Sequence, residues 1–256
     1  LEVVVTPETE KEATVTAVAF GKQLGKTVIV VNDSPGFYTT RALSAYMNEA
    51  GRLLDEGASI EAIDRALVDF GFPVGPITLF DEVGIDVGGK VGQVMAEAFG
   101  PRMAPAESLR RVVESGRTGR KGRKGFYRYD AEGVKGEADP TVYELLPNGA
   151  ARREFEPAEI QDRCVLAMVN EAARCLEEGV LRSPRDGDVG AVFGIGFPPF
   201  RGGPFRYVDS VGAGSILEQL EGLADRFPER FAPARILVEE ARVHGRFYPA
   251  HGHPLP

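Results

Sequence analysis

Two groups of side chains in this 256-residue chain could bind anions or metals. Residues 117–124 place five Arg and Lys side chains within eight positions, and such a loop could hold phosphate groups. The alternative is a solvated turn whose glycines allow a tight backbone, and the sequence leaves both open. The second group is His251 and His253, whose spacing could chelate a metal. Because no third ligand accompanies them, we predict no metal site.

The composition excludes two broad classes of protein. Hydrophobic residues make up 43% of the chain and charged residues 27%, which is typical of a soluble globular protein. A formal net charge of -8 at pH 7 argues against a nucleic-acid-binding surface. No apolar run approaches the roughly 20 residues that a membrane span requires. We therefore predict neither a nucleic-acid partner nor a membrane span.

The two cysteines indicate the compartment. Cys164 and Cys175 are eleven positions apart in one predicted helix, which separates them by roughly 16 Å along its axis. That distance is too long for a disulfide. Reduced, buried thiols are typical of a cytoplasmic protein, so we predict that location.

Residues 1–33 have the pattern of a β-α-β unit. A β-branched run at residues 1–6 is followed by a helical pattern over residues 9–24 and an apolar strand at residues 27–31. Two strands do not make a stable sheet alone, so we expect the rest of the sheet to precede this sequence. The chain also opens in the middle of a strand without Met, and we interpret it as a fragment.

Helical patterns dominate from residue 34 onward. Apolar spacing predicts helices over residues 37–56, 60–70, 77–99 and 105–116, with interruptions of the third at Gly84 and at Gly88 and Gly89. Residues 131–156 are polar and weakly patterned, so we predict a linker there. The predicted domains are residues 1–33, a first helical domain at 34–130, and a second at 157–256.

The second helical domain repeats the first. Asn48-Glu49-Ala50 returns 122 positions later as Asn170-Glu171-Ala172. Asp81-Glu82-Val83-Gly84 returns as Asp209-Ser210-Val211-Gly212, and Gly125-Phe126-Tyr127 has a looser match at residues 245–248. Matches in the same order indicate a tandem duplication of a helical domain. The predicted fold is therefore mainly α.

The repeated motifs resemble those of a known enzyme family. The first copy contains Asn32-Asp33-Ser34-Pro35-Gly36-Phe37, Phe70-Gly71-Phe72-Pro73-Val74-Gly75-Pro76 and Gly122-Arg123-Lys124-Gly125-Phe126-Tyr127. These resemble the C-terminal helical domain of 3-hydroxyacyl-CoA dehydrogenases. Because there are two copies, the chain is most similar to the multifunctional, trifunctional-protein type, the α subunit of the fatty-acid oxidation complex. Residues 1–33 would then be a remnant of its NAD-binding Rossmann domain.

The resemblance implies a catalytic role for Glu2. The family's glutamate lies in a Leu/Val-Glu-Val/Ile strand before Thr-Pro, as Glu2 does in residues 1–7. In the family it pairs with a histidine that takes the hydroxyl proton while hydride passes to NAD. That histidine precedes the glutamate and is not in this sequence. The Gly-x-Gly-x-x-Gly turn of a Rossmann domain is also absent, so no cofactor-binding residue is assigned.

The resemblance also implies three substrate-binding residues. The family's acyl-CoA would lie near residues 34–41 and 71–76, which include Ser34. Thr40 occupies a position where many relatives have a substrate-binding asparagine. Alternatively, Thr40 is an ordinary helix-face threonine bonded to a preceding carbonyl. Arg41 could reach a phosphate or form a structural ion pair. The basic loop at residues 117–124 could contact the phosphates of CoA or NAD.

Two functions follow from these patterns. As part of its parent, the chain would complete an NAD-dependent 3-hydroxyacyl-CoA dehydrogenase that makes 3-ketoacyl-CoA. The parent would also carry an enoyl-CoA hydratase and bind a thiolase β subunit. As an isolated piece, the chain would instead be an inactive helical module whose two copies pair with each other. A 6-phosphogluconate-type dehydrogenase also has helices after a Rossmann domain, but it fits the repeat poorly.

Overall fold

The β-α-β pattern at the start of the chain folds as predicted. The computed structural model describes residues 1–149 and 151–248. Strand β1 (Glu2–Val5) pairs in parallel with β2 (Ile29–Asn32), and α1 (Lys11–Gln23) connects them. The register places Glu2 opposite Ile29. A β-α-β connection of this kind is the basic unit of a parallel sheet.

The first helical copy contains five helices and a short antiparallel hairpin. The helices are α2 (Thr39–Asp55), α3 (Ile60–Phe70), α4 (Pro76–Val83), α5 (Ile85–Phe99) and α6 (Glu107–Glu114). A 3-10 turn, Gly100–Met103, follows α5, and another, Arg120–Gly122, follows α6. Strands β3 (Tyr127–Tyr129) and β4 (Lys135–Ala138) then form the hairpin.

The second copy repeats this succession of helices. It contains α7 (Pro157–Glu177), α8 (Pro184–Ile195), α9 (Pro204–Val211), α10 (Ala213–Arg226), α11 (Pro228–Phe231) and α12 (Arg235–Arg242). A 3-10 turn, Pro199–Arg201, precedes α9. Cys164 and Cys175 are both free and buried in α7, in agreement with the sequence.

One predicted interruption is absent. The break at Gly84 is present, where a φ of 105° separates α4 from α5. The predicted break at Gly88 and Gly89 is wrong, because α5 is continuous from Ile85 to Phe99. A Cβ at Gly88 would lie 2.4 Å from the Phe80 ring, so this glycine allows close packing of α5 on Phe80.

The chain divides by its contacts into two units. The first unit comprises Leu1–Leu43 and Leu166–Pro256, and the second comprises Ser44–Val165. The division falls inside α2 and α7, so each unit contains part of both helices. It is a different division from that by sequence repeat, and the predicted domain boundaries remain predictions.

The core of the first unit packs around the start of α2 and the second part of α7. Tyr38 and Ala42 are fully buried there, as is Val31 of β2. The core of the second unit includes Leu53 and Leu54 of α2, both fully buried. Such burial of apolar side chains is the main force that stabilises each unit.

The predicted linker, residues 131–156, contains secondary structure and packs within the second unit. Besides β4, it contains a 3-10 turn, Pro140–Leu145, and Asp139 before this turn is 2% exposed. The Arg152 guanidinium donates to the carbonyls of Leu54 and Ala58, and the Arg153 N–H donates to that of Gly57. These contacts place hydrogen-bond donors on carbonyls at the end of α2 and just after it.

Candidate functional site

The Glu2 carboxylate caps the beginning of α2. Its Oε1 accepts hydrogen bonds from the backbone N–H groups of Tyr38 at 3.1 Å and Thr39 at 3.2 Å. Its Oε2 accepts a hydrogen bond from the Thr39 hydroxyl at 2.6 Å. The first N–H groups of a helix have no partner within it, and its N-terminus favours negative charge. The carboxylate is therefore held in one orientation from the side of α2.

A tight turn precedes α2. Gly36 has a φ of 72° and Phe37 a φ of 49°, and the Phe37 N–H donates to the Ser34 carbonyl at 2.8 Å. Positive φ is uncommon for a residue with a side chain and costs free energy. The turn ends the extended segment after β2 and starts α2 at Thr39, two residues later than the sequence predicted.

Ser34 and Thr40 lie on either side, along the chain, of the two residues that donate to Glu2. Ser34 is partly buried and begins the turn that precedes α2. Thr40 is also partly buried and follows Thr39 in the first turn of α2. The structure thus brings these two positions to the helix end that Glu2 caps, and their contact with a substrate remains a prediction.

Sequence reasoning missed Thr39. Its hydroxyl and its N–H both donate to Glu2, although no prediction was attached to it. A threonine in the first turn of a predicted helix was a usable signal, because its hydroxyl can donate a hydrogen bond. The sequence did not show, however, that a carboxylate on β1 would reach this helix end.

Arg41 has the structural role that the sequence left open. Its side chain is fully buried, with Nε 2.5 Å from Glu171 Oε1 and one terminal nitrogen 2.6 Å from Glu178 Oε2. Burial by itself would lower the pKa of Arg41, but the hydrogen bonds and charges of Glu178 and Glu171 outweigh it and raise the pKa. Because this guanidinium is committed to an internal ion pair, we do not include Arg41 among the proposed substrate contacts.

The second unit contains the matching ion pair at the same spacing. Arg163, which is 122 positions after Arg41, lies 2.6 Å from both Glu49 and Glu56. Its side chain is likewise fully buried. The carboxylates match as well, since Glu49 corresponds to Glu171 and Glu56 to Glu178. Each unit therefore has one buried arginine that joins its part of α2 to its part of α7.

The repeated aspartates anchor the Phe-Tyr motif in both copies. Asp81 accepts hydrogen bonds from the N–H groups of Phe126 and Tyr127, each at 2.9 Å. Asp209 accepts the corresponding bonds from residues 247 and 248, at 2.8 and 3.0 Å. In each copy, an aspartate thus holds the Phe-Tyr motif in place through its backbone.

A second pair of aspartates receives the tyrosine hydroxyls. Tyr127 donates to Asp64 at 2.8 Å, and Tyr248 donates to Asp188 at 2.6 Å. Each of these aspartates also accepts backbone N–H groups at the start of a helix, α4 for Asp64 and α9 for Asp188. Burial raises the pKa of both carboxyls, to about 6 for Asp188.

Much of the basic loop is engaged in internal contacts. Arg117 is buried and pairs with Asp139 at 2.8 Å, and Lys121 pairs with Asp86 at 2.6 Å. The Arg120 guanidinium donates to the Gly133 carbonyl at 2.9 Å. These contacts favour the structural interpretation of the loop for these three cations.

A cleft of about 740 Å³ lies in the first unit near the ends of β1 and β2. Val5, Asn32 and Arg182 are among the residues that line it. Glu2 lies at the opposite end of β1, so the cleft is not part of the site that Glu2 defines.

Three further features bear on the predictions for metals and membranes. Across residues 1–149 and 151–248, no group of three His, Cys, Asp or Glu side chains is placed to hold a metal ion. No helix in these ranges is long and apolar enough to cross a bilayer. His251 and His253 lie outside the described residues.

The repeated helices and their motifs define a class of domain. The family model for the 3-hydroxyacyl-CoA dehydrogenase C-terminal domain matches residues 36–129 and again residues 160–253. The chain therefore belongs to this family and contains two copies of its domain. The predicted mainly α fold with a tandem pair of these domains is confirmed.

Similar proteins specify the type. The chain is 50% identical over 250 residues to the fatty acid oxidation complex subunit alpha of Shewanella loihica, and 49% identical over 249 residues to that of Shewanella amazonensis. Each match covers 97% of this chain but only 35% of the relative. The chain thus spans about a third of the length of these curated relatives.

Solved structures with the same fold include two dehydrogenases. The 3-hydroxybutyryl-CoA dehydrogenase of Escherichia coli superposes with a TM-score of 0.79 at 25% identity, covering 95% of this chain and 67% of that one. The dehydrogenase part of multifunctional enzyme 1 from C. elegans gives 0.67 at 26% identity, covering 93% and 55%.

Proposed function

We propose that this chain is the C-terminal part of a multifunctional fatty-acid β-oxidation enzyme. In that enzyme it would help oxidise 3-hydroxyacyl-CoA to 3-ketoacyl-CoA with NAD. The single observation that carries the proposal is the Glu2 carboxylate, held at the start of α2 by hydrogen bonds from Tyr38 and Thr39. The parent would also carry an enoyl-CoA hydratase, bind a thiolase β subunit and work in the cytoplasm. The free, buried cysteines suit that compartment.

Glu2 would act through a histidine from the part of the enzyme that precedes this chain. A carboxylate on one imidazole nitrogen fixes the tautomer and makes the other nitrogen a better base for the substrate hydroxyl. Hydrogen bonds from the start of α2 hold this carboxylate in one orientation before the substrate binds. Ser34 and Thr40 are the proposed substrate contacts.

The residues of this chain do not by themselves fit NAD. Its sequence has no Gly-x-Gly-x-x-Gly turn, and β1 and β2 make up only a two-stranded sheet. The cofactor would bind mainly to the rest of a Rossmann domain, so we derive no step through NAD from these residues.

A second candidate function is the pairing of the two helical copies. The two buried arginines support it, because each joins a part of α2 from the first copy to a part of α7 from the second. Paired in this way, the copies would form an assembly module without chemistry of its own. This role is compatible with the first, since it would describe the chain in isolation.

Replacement of Glu2 tests the catalytic proposal. In the full-length enzyme that contains this chain, Glu2→Gln should lower kcat on the order of 10²-fold or more, the scale of general-base assistance. Reduction of acetoacetyl-CoA with NADH provides the assay. The isolated chain should show no NADH oxidation above background.

Glu12→Gln on α1 is the matched control, because Glu12 is exposed and takes no part in the hydrogen bonds that Tyr38 and Thr39 donate to Glu2. It should leave kcat unchanged. A Glu2→Gln enzyme with the full wild-type rate would show that Glu2 is not the catalytic carboxylate.

A further inference from the structure

Among the described residues, 1–149 and 151–248, the hydrogen bonds around Glu2 leave one acceptor position open. A carboxylate offers about four lone-pair directions, two on each oxygen. Oε1 uses both of its directions for the N–H groups of Tyr38 and Thr39, and Oε2 uses one for the Thr39 hydroxyl. The remaining direction is therefore on Oε2, the oxygen that Thr39 also contacts. Any imidazole that Glu2 orients would share this oxygen with the Thr39 hydroxyl.

Helix α8 of the second copy holds Thr39 and its neighbour in place. A Cβ built at Gly194 would lie 3.1 Å from the Thr39 methyl carbon, and one at Gly190 would lie 3.0 Å from the Tyr38 ring. Both glycines belong to α8 and are one helical turn apart. Their lack of side chains lets the α8 backbone approach the two residues that donate to Glu2. The second copy thereby contacts Tyr38 and Thr39, the residues that donate hydrogen bonds to the proposed catalytic carboxylate.

We propose that Thr39 is a positioning residue that orients Glu2 through its hydroxyl, and that α8 of the second copy holds Thr39 in this orientation. The proposal rests on the proposed dehydrogenase function. It gives the second copy a part in catalysis as well as in pairing. It also assigns different roles to two adjacent threonines. Thr39 hydrogen-bonds Glu2, whereas Thr40 contacts the substrate.

The Thr39 hydroxyl should also tune the base that Glu2 supports. A hydrogen bond donated to Oε2 withdraws charge from the oxygen that would accept the imidazole N–H. Without this donor, the carboxylate holds the imidazolium more strongly, and the base loses its proton at higher pH. The other titratable groups around this point are Tyr38 itself and the groups it interacts with, Cys175 on α7, Asp188 on α8 and Tyr248. All of these are unchanged in Thr39 variants, so the comparison between variants isolates Thr39.

The test compares Thr39→Val with Thr39→Ser in the full-length enzyme. Both variants are assayed in the direction of 3-hydroxyacyl-CoA oxidation by NAD, in which the histidine must be unprotonated to act as the base. For Thr39→Val, we expect kcat to fall on the order of tenfold and the acidic limb of the kcat/KM profile to move upward by on the order of one pH unit, the scale of one hydrogen bond to a charged group. Thr39→Ser keeps the hydroxyl and should keep the wild-type limb. Thr16→Val is the matched control, because the Thr16 hydroxyl only donates to the Glu12 carbonyl of its own helix.

The role of α8 is tested by Gly194→Ala. The added methyl must push on Thr39, so we expect kcat to fall on the order of threefold with the limb moving in the same direction as in Thr39→Val. Gly222→Ala on α10 is the control, since its Cβ would meet open space, and it should retain the wild-type rate. Gly194→Ala also serves as the second probe if Thr39→Val does not fold.

The outcomes separate this inference from the proposed function. If Glu2→Gln keeps the full rate, the dehydrogenase assignment of Glu2 is wrong. If Glu2→Gln is impaired while Thr39→Val melts at a lower temperature but keeps the wild-type acidic limb, Thr39 is merely structural and the inference is overturned. If Gly194→Ala behaves like Gly222→Ala, the part assigned to α8 is wrong.

Discussion

The two long helices that head the copies, α2 and α7, begin in different ways. Helix α2 starts at Thr39 after a turn in which Gly36 and Phe37 have positive φ, and its first N–H groups donate to Glu2. Helix α7 starts at Pro157 and runs for 21 residues, against 17 for α2. Proline suits the first position of a helix because its missing N–H has no partner there anyway. The second copy therefore begins its first helix at a proline, whereas the first copy begins with N–H groups that donate to a carboxylate.

This difference separates the residues that build the domain from those that do chemistry. The features that repeat are the buried arginines, Arg41 and Arg163, and the aspartates that anchor the Phe-Tyr motifs. The capping of α2, in contrast, uses Glu2 of β1, a residue that precedes both copies. A duplicated domain must keep its packing in both copies, whereas a site is needed only once. The unrepeated helix start is thus the place to expect function.

The largest expected effect concerns the repeated arginines. Removing one partner of a buried ion pair leaves uncompensated charge and typically costs about 3–5 kcal/mol of unfolding free energy. We expect Arg163→Met to cost this much, because its carboxylate partner Glu49 is only 3% exposed. Arg41→Met should cost a similar amount, since its partner Glu171 is also 3% exposed. Urea denaturation of the chain gives both values.

An exposed arginine provides the control for this comparison. Arg110 pairs with Glu107 and Glu114 on α6, but its side chain is 51% exposed. Exposed pairs contribute little, so Arg110→Met should leave the denaturation midpoint nearly unchanged. If Arg41→Met and Arg163→Met differed greatly in their cost, the two ion pairs would not be equivalent and the structural part of the comparison would fail.

The aspartates of the two copies should differ in their response to pH. Burial raises the pKa of Asp188 to about 6, above the value of about 3.9 for an unfolded chain. The folded state therefore binds the proton more tightly, and the contribution of Asp188 to stability is present below about pH 4 and lost as the pH rises through 6. Relative to Asp188→Asn, the wild type should lose on the order of 1–2 kcal/mol between pH 4.5 and pH 7.

Asp64 is the matched position in the first copy. It accepts one more hydrogen bond than Asp188, from the Thr78 hydroxyl at 2.5 Å, and this donor stabilises the charged form. Asp64→Asn should therefore remove a smaller pH dependence than Asp188→Asn does. Unfolding free energies measured in urea at the two pH values check both variants. Equal or reversed dependences would show that the extra donor does not distinguish the copies.

The sequence predicted the repeated parts of the molecule better than the unrepeated part. The tandem domains and the break at Gly84 could be predicted because helical periodicity and glycine act locally. The continuity of α5 through Gly88 could not, because it depends on how α5 packs against the Phe80 ring of another helix, α4. The role of Thr39 was hidden for the same reason, since Glu2 is 37 positions away along the chain. Side chains that come into contact only in the folded chain cannot be paired from the local sequence pattern.

The smallest expected effect concerns Tyr38, because the matching residue of the second copy has no hydroxyl group. Tyr38 is fully buried, and the matching residue of the second copy, Ile160, is 1% exposed. Within residues 1–149 and 151–248, the Tyr38 hydroxyl has no hydrogen-bond partner. A buried hydroxyl without a partner is unfavourable, so Tyr38→Phe should leave stability unchanged or raise it by about 1 kcal/mol. Because only the backbone N–H of Tyr38 donates to Glu2, kcat of the full-length enzyme should stay at the wild-type value.

Tyr127→Phe is the control, since it removes a hydroxyl that donates to Asp64 and should cost about 1–3 kcal/mol of unfolding free energy. A Tyr38→Phe chain that lost more than Tyr127→Phe would mean that the hydroxyl of Tyr38, rather than its ring and backbone alone, belongs to the unrepeated site.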